Sequence, residues 1–401
     1  MSAAPHVFIV AGEDSGDRLG AALIVALKAA TQGAARVSGI GGTHMAEAGV
    51  TSPFPLGDLA IMGFAAIPRR LPLILRRIRE AADAVIAAKP DVLVIIDSPE
   101  FTHRVAKRVR ARAPEIPIVD YVCPSVWAWR PGRARVMRGY VDRVLALLPF
   151  EPEAMRRLGG PPTEFVGHPL AEAIARLRPD AEDARRRLAD PPVLLVLPGS
   201  RSGEVRRMAP VFGAAAARLA AEIGPLEIVV PAVPRLAALV RDEVAAWPVA
   251  ARVITELAEK DVAFRTARAA LTKSGTSTLE LAVAGVPMIA AYKVSLFEEP
   301  IARLLIKADT AILANHVLGE KAIPEFLQRD ATAEKLAAAL VPLLSDTPQR
   351  RAQSAAFARL DAIMEIGTAA PSARAAAAVL AVIGRLNQPA DEAVTGLGRE
   401  E

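Results

Sequence analysis

The chain has 401 residues, 52% hydrophobic and 23% charged, which is more than one ordinary core accommodates and predicts two domains. A single cysteine, Cys123, excludes an intramolecular disulfide and a cysteine-based metal site, and an aromatic share of only 4% with abundant Ala favours α/β over all-β. The net charge of +5 suits a phosphorylated substrate or an anionic membrane surface; nucleic acid is the weakest partner class, because zinc-finger spacing, RNA-type aromatic motifs and long basic tracts are all missing.

The first predicted element is a strand at 7–11, VFIVA, too brief for a signal h-region. It exits into AGEDSGD at 11–17, where three crowded acids disfavour a nucleotide phosphate and suit an acceptor's hydroxyls or a closing loop. A helix over 16–30 leads to GIGG at 39–42, which lacks the dinucleotide spacing and says only that backbone approaches something closely. The stretch 61–88 mixes Phe64, Ile67, Leu71, Leu73, Ile74 and Leu75 with Arg69, Arg70, Arg76, Arg77 and Arg79. It fits a basic amphipathic patch on an anionic bilayer, or a crossover helix with its apolar stripe on a sheet. No run of about eighteen apolar residues lacks charge, so no spanning helix is expected.

A buried strand at 92–96 ends in Asp97, at the edge where parallel sheets bind ligands. Asp97 could be a general base on a sugar hydroxyl, or cap the helix predicted over 100–112. After a strand at 117–122, YVCPSVWAWRPGR sets two tryptophans, Trp127 and Trp129, beside arginines, suiting a sugar ring, a glycolipid or a domain interface. A strand at 144–148 follows. His168 could orient substrate or pack at a hinge, and five scattered histidines without ligand spacing predict no metal site. The charged, proline-punctuated stretch 171–190 reads as a linker between a domain at 1–170 and a second at 191–385 that includes the terminal helices, with their packing back on the first domain left open.

The strand–helix rhythm restarts at 193–197 and runs through 226–230, 251–254, 269–272 and 287–292. Its first exit, PGSRSGEV, places Gly199 and Ser200 in a tight turn and Arg201 where a phosphate would dock at a helix start. A bare turn with a surface Arg is the bland alternative. The second exit, Lys273 to Thr278, is no Walker loop; Ser274, as a helix N-cap, with Gly275 and Thr276 offers further phosphate partners. Glu280, in an otherwise apolar helix, either faces solvent or holds ribose hydroxyls. Past 330 the chain is helical, and 386–401 reads as a frayed tail.

In order, AGEDSGD, GIGGTHM, IDSPEF, YVCPSVWAWRPGR, LPFEPE, FVGHPL, LPGSRSGEV, KSGTSTLELAVAGVPMIAAYK, LANHVLGE and PEFLQ resemble the lipid-A-disaccharide synthases, glycosyltransferase family 19, from residue 11 to 328. Asp14 and Cys123 depart from the common wording without removing a proposed catalytic group. The resemblance implies a GT-B fold, two Rossmann-like domains with parallel sheets facing across a cleft. It implies an inverting transfer from UDP-2,3-diacylglucosamine to 2,3-diacylglucosamine 1-phosphate, with Asp97 as base, Arg201 and the Ser274–Thr276 turn on the diphosphate, and Glu280 on the nucleotide. Glu13, Ser15, Trp127, His168, Asn315 and Gln328 are implied as further cleft residues. It also implies no metal or other cofactor and peripheral attachment to the cytoplasmic face of the inner membrane through Phe64, Ile67, Leu71, Ile74 and Leu75. Oligomeric state, a homodimer included, is left open. The rivals are another GT-B enzyme, such as a UDP-N-acetylglucosamine 2-epimerase or the lipid II-forming transferase, and a non-catalytic glycolipid-binding module.

Overall fold

The protein is described from a computed structural model at residues 4–59, 67–294 and 310–386. Residues up to Pro169 join those from Ala369 onward in one compact unit, and Leu170–Thr368 form the second.

The first unit is built on a parallel sheet of six strands: β1 (His6–Ala11), β2 (Arg36–Ile40), β3 (Val92–Ile96), β4 (Ile118–Tyr121), β5 (Arg143–Ala146) and β6 (Thr163–Phe165), in spatial order β2-β1-β3-β4-β5-β6. β1 and β3 are buried along their whole length, as continuous apolar strands covered on both faces must be. Helices Ile67–Ala88 and Pro99–Arg112 cover one face, where Ile78, Val85 and Val105 meet Leu93 and Ile95. Helix Asp14–Ala30 lies on the other with Pro371–Leu386, so Leu23 and Leu27 share a core with Ala375, Val379 and Ile9.

The second unit repeats the plan with β7 (Val193–Leu197), β8 (Glu227–Pro231), β9 (Arg252–Ile254), β10 (Ala269–Lys273), β11 (Met288–Tyr292) and β12 (Glu325–Leu327), ordered β12-β11-β10-β7-β8-β9 and all parallel. Helices Ser202–Ile223 and Ala333–Leu344 bury Phe212, Leu219 and Leu340 against one face.

Two expected boundaries change. The last helix belongs to the first unit rather than to a 191–385 domain, because its Ala-rich stripe fits closely on the Asp14–Ala30 helix. The expected linker, 171–190, is instead two helices of the second unit, Leu170–Leu177 and Ala181–Leu188, packed on Leu257–Thr266. Their charges have internal partners: Arg176 pairs with Asp261 at 2.9 Å, and buried Arg187 donates to the carbonyls of Phe264 and Arg265 at 2.9 Å each. The tail expected at 386–401 lies outside the described residues, apart from Leu386 at the helix end.

Candidate active site

In a doubly wound sheet the strand order reverses at one point, and the loops leaving the two strands there diverge to opposite faces and open a crevice. In the first unit that point lies between β1 and β3, so the exit AGEDSGD and Asp97 become neighbours. Asp97 Oδ2 accepts a 2.6 Å hydrogen bond from the Ser15 hydroxyl, and Oδ1 accepts from the Ser98 N–H at 2.7 Å. Asp97 and Ser98 both adopt left-handed backbone, φ 55° and 45°, which turns the carboxylate out of the strand line. Ser98 occupies the N-cap position of the Pro99–Arg112 helix without a side-chain cap bond, so Asp97 is a half-buried acid at the sheet edge and not that helix's cap.

The acids of AGEDSGD separate. Glu13 and Asp14 are exposed, whereas Asp17 is buried and accepts the N–H groups of Gly42, His44 and Met45 at 2.6, 2.9 and 3.1 Å. The glycines of GIGG therefore make room for Asp17 and Met45: a Cβ at Gly42 would lie 2.7 Å from Asp17 Oδ2. Among the described residues Asp14, Asp17 and His44 bring potential ligand atoms within 4.8 Å, but both Asp17 oxygens already cap this turn.

Trp127 donates Nε1–H to Glu151 at 3.2 Å and meets the Phe150 ring edge-on at 4.9 Å, while exposed Trp129 carries the Arg130 guanidinium 4.3 Å from its ring. Burial pushes the Glu151 carboxyl up to about 7, against the opposing pull of the Leu148 N–H and Trp127. His168 follows β6, and burial pulls its pKa down to about 4, leaving a neutral ring at physiological pH as a packing histidine requires.

In the second unit the reversal lies between β7 and β10, the two strands whose exits carry the proposed phosphate turns. After Pro198 the chain turns at Gly199, whose φ of 138° excludes most side chains and whose Cβ would come 2.7 Å from Glu204 Cβ. Ser200 is exposed, and Arg201, the N-cap of the Ser202–Ile223 helix, leaves 80% of its side chain accessible. The N–H groups of Glu204 and Val205 reach Arg201 O at 3.0 Å each, and the first turn of such a helix is where an anion can bind.

Beneath this turn lies a residue that sequence reasoning left unassigned. Glu204 is 3% exposed and accepts from Ser200 N–H at 3.2 Å, with Arg201 Nη1 at 3.3 Å and Lys273 Nζ at 3.1 Å. Burial pushes its carboxyl up, but Lys273, the Ser200 N–H and Arg201 together hold it below the usual range. Its spacing, three residues beyond Arg201 in a helix's first turn, was a usable signal.

In the second turn Gly275 has φ 155° and Thr276 is exposed at the N-cap of Ser277–Val283. Ser274 is not that cap; it is buried below the turn with its hydroxyl 3.4 Å from Glu325 Oε1, while its N–H reaches Ala291 O at 3.3 Å. Glu280 is half-buried and receives Lys260 Nζ at 3.0 Å, a partner the sequence did not disclose. Asn315 is 2% exposed with both amide ends committed to the Ile323 backbone, at 3.0 and 2.9 Å, so it clamps a loop rather than presenting its amide to a ligand. Gln328 stands at the end of β12 with φ 50° and accepts the Val294 N–H at 2.7 Å.

The basic helix divides its face. Ile78, Ala81, Ala82 and Val85 enter the core as a crossover helix requires, and Ile74 and Leu75 pack half-buried beside them. Leu71 is 42% exposed. Phe64 lies outside the described residues, and for Ile67 only the backbone is described. Among the described residues no helix is long and apolar enough to cross a membrane.

A family profile described as lipid-A-disaccharide synthetase matches residues 7–379. The lipid-A-disaccharide synthase of Nitrobacter hamburgensis is 58% identical over 375 residues, covering 94% of this chain and 95% of its own; that of Bradyrhizobium diazoefficiens is 57% identical over 377 residues, covering 94% and 96%. Among solved structures, the Neisseria meningitidis UDP-GlcNAc 2-epimerase bound to UDP-GlcNAc aligns with TM-score 0.61 at 14% identity, covering 94% of this chain and all of that one. Acinetobacter baumannii MurG gives TM-score 0.57 at 16% identity, covering 94% and 99%. Likeness this distant shows a shared GT-B fold, whereas the sequence matches separate the chain from both rival enzymes.

Proposed function

The chain belongs to the lipid-A-disaccharide synthase family and is a glycosyltransferase of lipid A biosynthesis; on that premise we propose how its residues divide the work. UDP-2,3-diacylglucosamine is the donor and 2,3-diacylglucosamine 1-phosphate the acceptor. The acceptor's 6-hydroxyl attacks the anomeric carbon opposite the leaving group, Asp97 takes its proton, and the bond to UDP breaks with its electron pair passing to the diphosphate. Ser15 holds the Asp97 carboxylate with its 2.6 Å hydrogen bond, leaving the remaining lone pairs for the alcohol.

The charge that grows on UDP falls to the second unit. Arg201, the Gly199–Ser200 turn and the Gly275–Thr276 turn hold the diphosphate, and Glu280 holds the ribose. Ser274 supports its turn from below through Glu325. The scheme gives no step to a metal, so chelation with EDTA is expected to leave turnover unchanged.

The observation that carries this reading is that the two turns leave the adjacent strands β7 and β10 at the strand-order reversal, the position where such sheets bind nucleotides. UDP release measured with and without 2,3-diacylglucosamine 1-phosphate is the test. Release only with acceptor supports the transfer; equal release without it contradicts the reading.

We also place the enzyme peripherally on the cytoplasmic face of the inner membrane, where its lipid substrates reside. Exposed Leu71, with half-buried Ile74 and Leu75 on the same helix, would enter the acyl boundary while Arg76 and Arg79, both exposed, meet anionic headgroups, and Phe64 and Ile67 are proposed for the same contact from the sequence.

A further inference from the structure

We propose that buried Glu204 and half-buried Lys273 form a charge pair that positions the two diphosphate turns relative to each other, Glu204 acting through Arg201 and Lys273 rather than on substrate. The proposal rests on the reading that these turns bind UDP.

Three features carry it. The Glu204 carboxylate is 3% exposed and meets groups from both turns, Ser200 N–H and Arg201 from the first and Lys273 from the second. Lys273 is the last residue of β10, its side chain 18% exposed, and its Nζ sits 5.2 Å from the centre of the Tyr292 ring, so its charge is fixed in direction. Gly199 and Gly275 leave the room the pair occupies: a Cβ at Gly199 would lie 2.8 Å from Glu204 Oε2, and one at Gly275 would lie 3.2 Å from Lys273 Nζ.

A carboxylate under an anion site would oppose the anion if it stood unpaired. Here it is matched by two cations, so the cluster keeps a net positive charge toward the ligand while the acid fixes where that charge lies. Arg201, with 80% of its side chain accessible, would otherwise sample many rotamers, and the ordering cost would be met on binding.

The test is a double-mutant cycle on the full-length chain, with UDP affinity from calorimetry and kcat and KM from UDP release. Glu204→Gln keeps the size and an acceptor for Ser200 N–H but removes the charge; Lys273→Met keeps the stem. Each is expected to weaken UDP binding about tenfold or more with melting temperature little changed, and the double variant is expected to be no weaker than the worse single one. Additive losses, or wild-type UDP affinity in either single variant, would overturn the proposal. If Glu204→Gln does not fold, Lys273→Met decides alone by the same affinity criterion. Arg201→Ala is the control: if it too binds UDP normally, the site assignment fails; if it loses binding while the pair variants do not, only the pair proposal fails.

Discussion

Asp97 shows how a single side chain can be both legible and misleading in a sequence. A strand-terminal Asp two residues before Pro reads equally well as a helix cap or a base; the structure puts Ser98 at the cap position and turns the Asp97 carboxylate toward Ser15, and the base role is what substitution tests. Asp97→Asn is expected to lower kcat by two to four orders of magnitude, about what a general base contributes, with UDP affinity kept. Steady-state UDP release beside UDP titration checks it, and near-normal kcat removes the base role. Glu151 carries a pH signature. Its folded pKa, raised to about 7 by burial, means that its contribution to stability is complete below the unfolded value near 4.5 and is lost as pH rises through 7. Urea unfolding of wild type and Glu151→Gln between pH 4 and 8 is expected to show wild type losing stability relative to the variant as pH rises, by an amount on the order of 1–3 kcal/mol. A constant difference would contradict that. What sequence could not disclose at this scale were pairings across the fold: Glu204 with Lys273, Glu280 with Lys260, and Asn315 with the Ile323 backbone.

Strands in the sheet interiors were readable, and of the four edges only β9, expected at 251–254, was legible. Strands expected at 7–11, 92–96, 193–197 and 269–272 stand in the interiors of the two sheets, where a continuous apolar run has no other use. β2, β6 and β12 escaped notice because each is an edge, with the mixed sequences RVSGI, TEF and EFL and only one neighbour to pair with. The two helices between Leu170 and Leu188 read as a linker because the stretch is charged and proline-punctuated, whereas Arg187 is buried and bonded to four carbonyls: Phe264, Arg265, Ala284 and Gly285. Two helices end at those carbonyls, so the cation also meets their negative ends. Arg187→Ala is expected to destabilise by about 3 kcal/mol or more, read from urea unfolding, because it strands several acceptors. A loss under 1 kcal/mol would show that water replaces the side chain.

At the scale of the whole molecule, the two units repeat one solution, a parallel sheet whose strand order reverses once, and the proposed site residues follow the strands at those reversals. That architecture is shared with an epimerase and with MurG, so the fold by itself does not tell the reactions apart. The proposed membrane attachment is tested on the full chain. Co-sedimentation with phosphatidylglycerol vesicles is expected to fall several-fold in Leu71→Ser and with added salt, and unchanged partitioning would remove Leu71 from the contact. The central claim is that UDP is held by the turns after β7 and β10. Hydrogen exchange followed by mass spectrometry, with and without UDP, tests it most directly. Slowed exchange centred on 198–204 and 273–280 is the predicted result; protection confined to 11–17 and 39–44 in the first unit would contradict it.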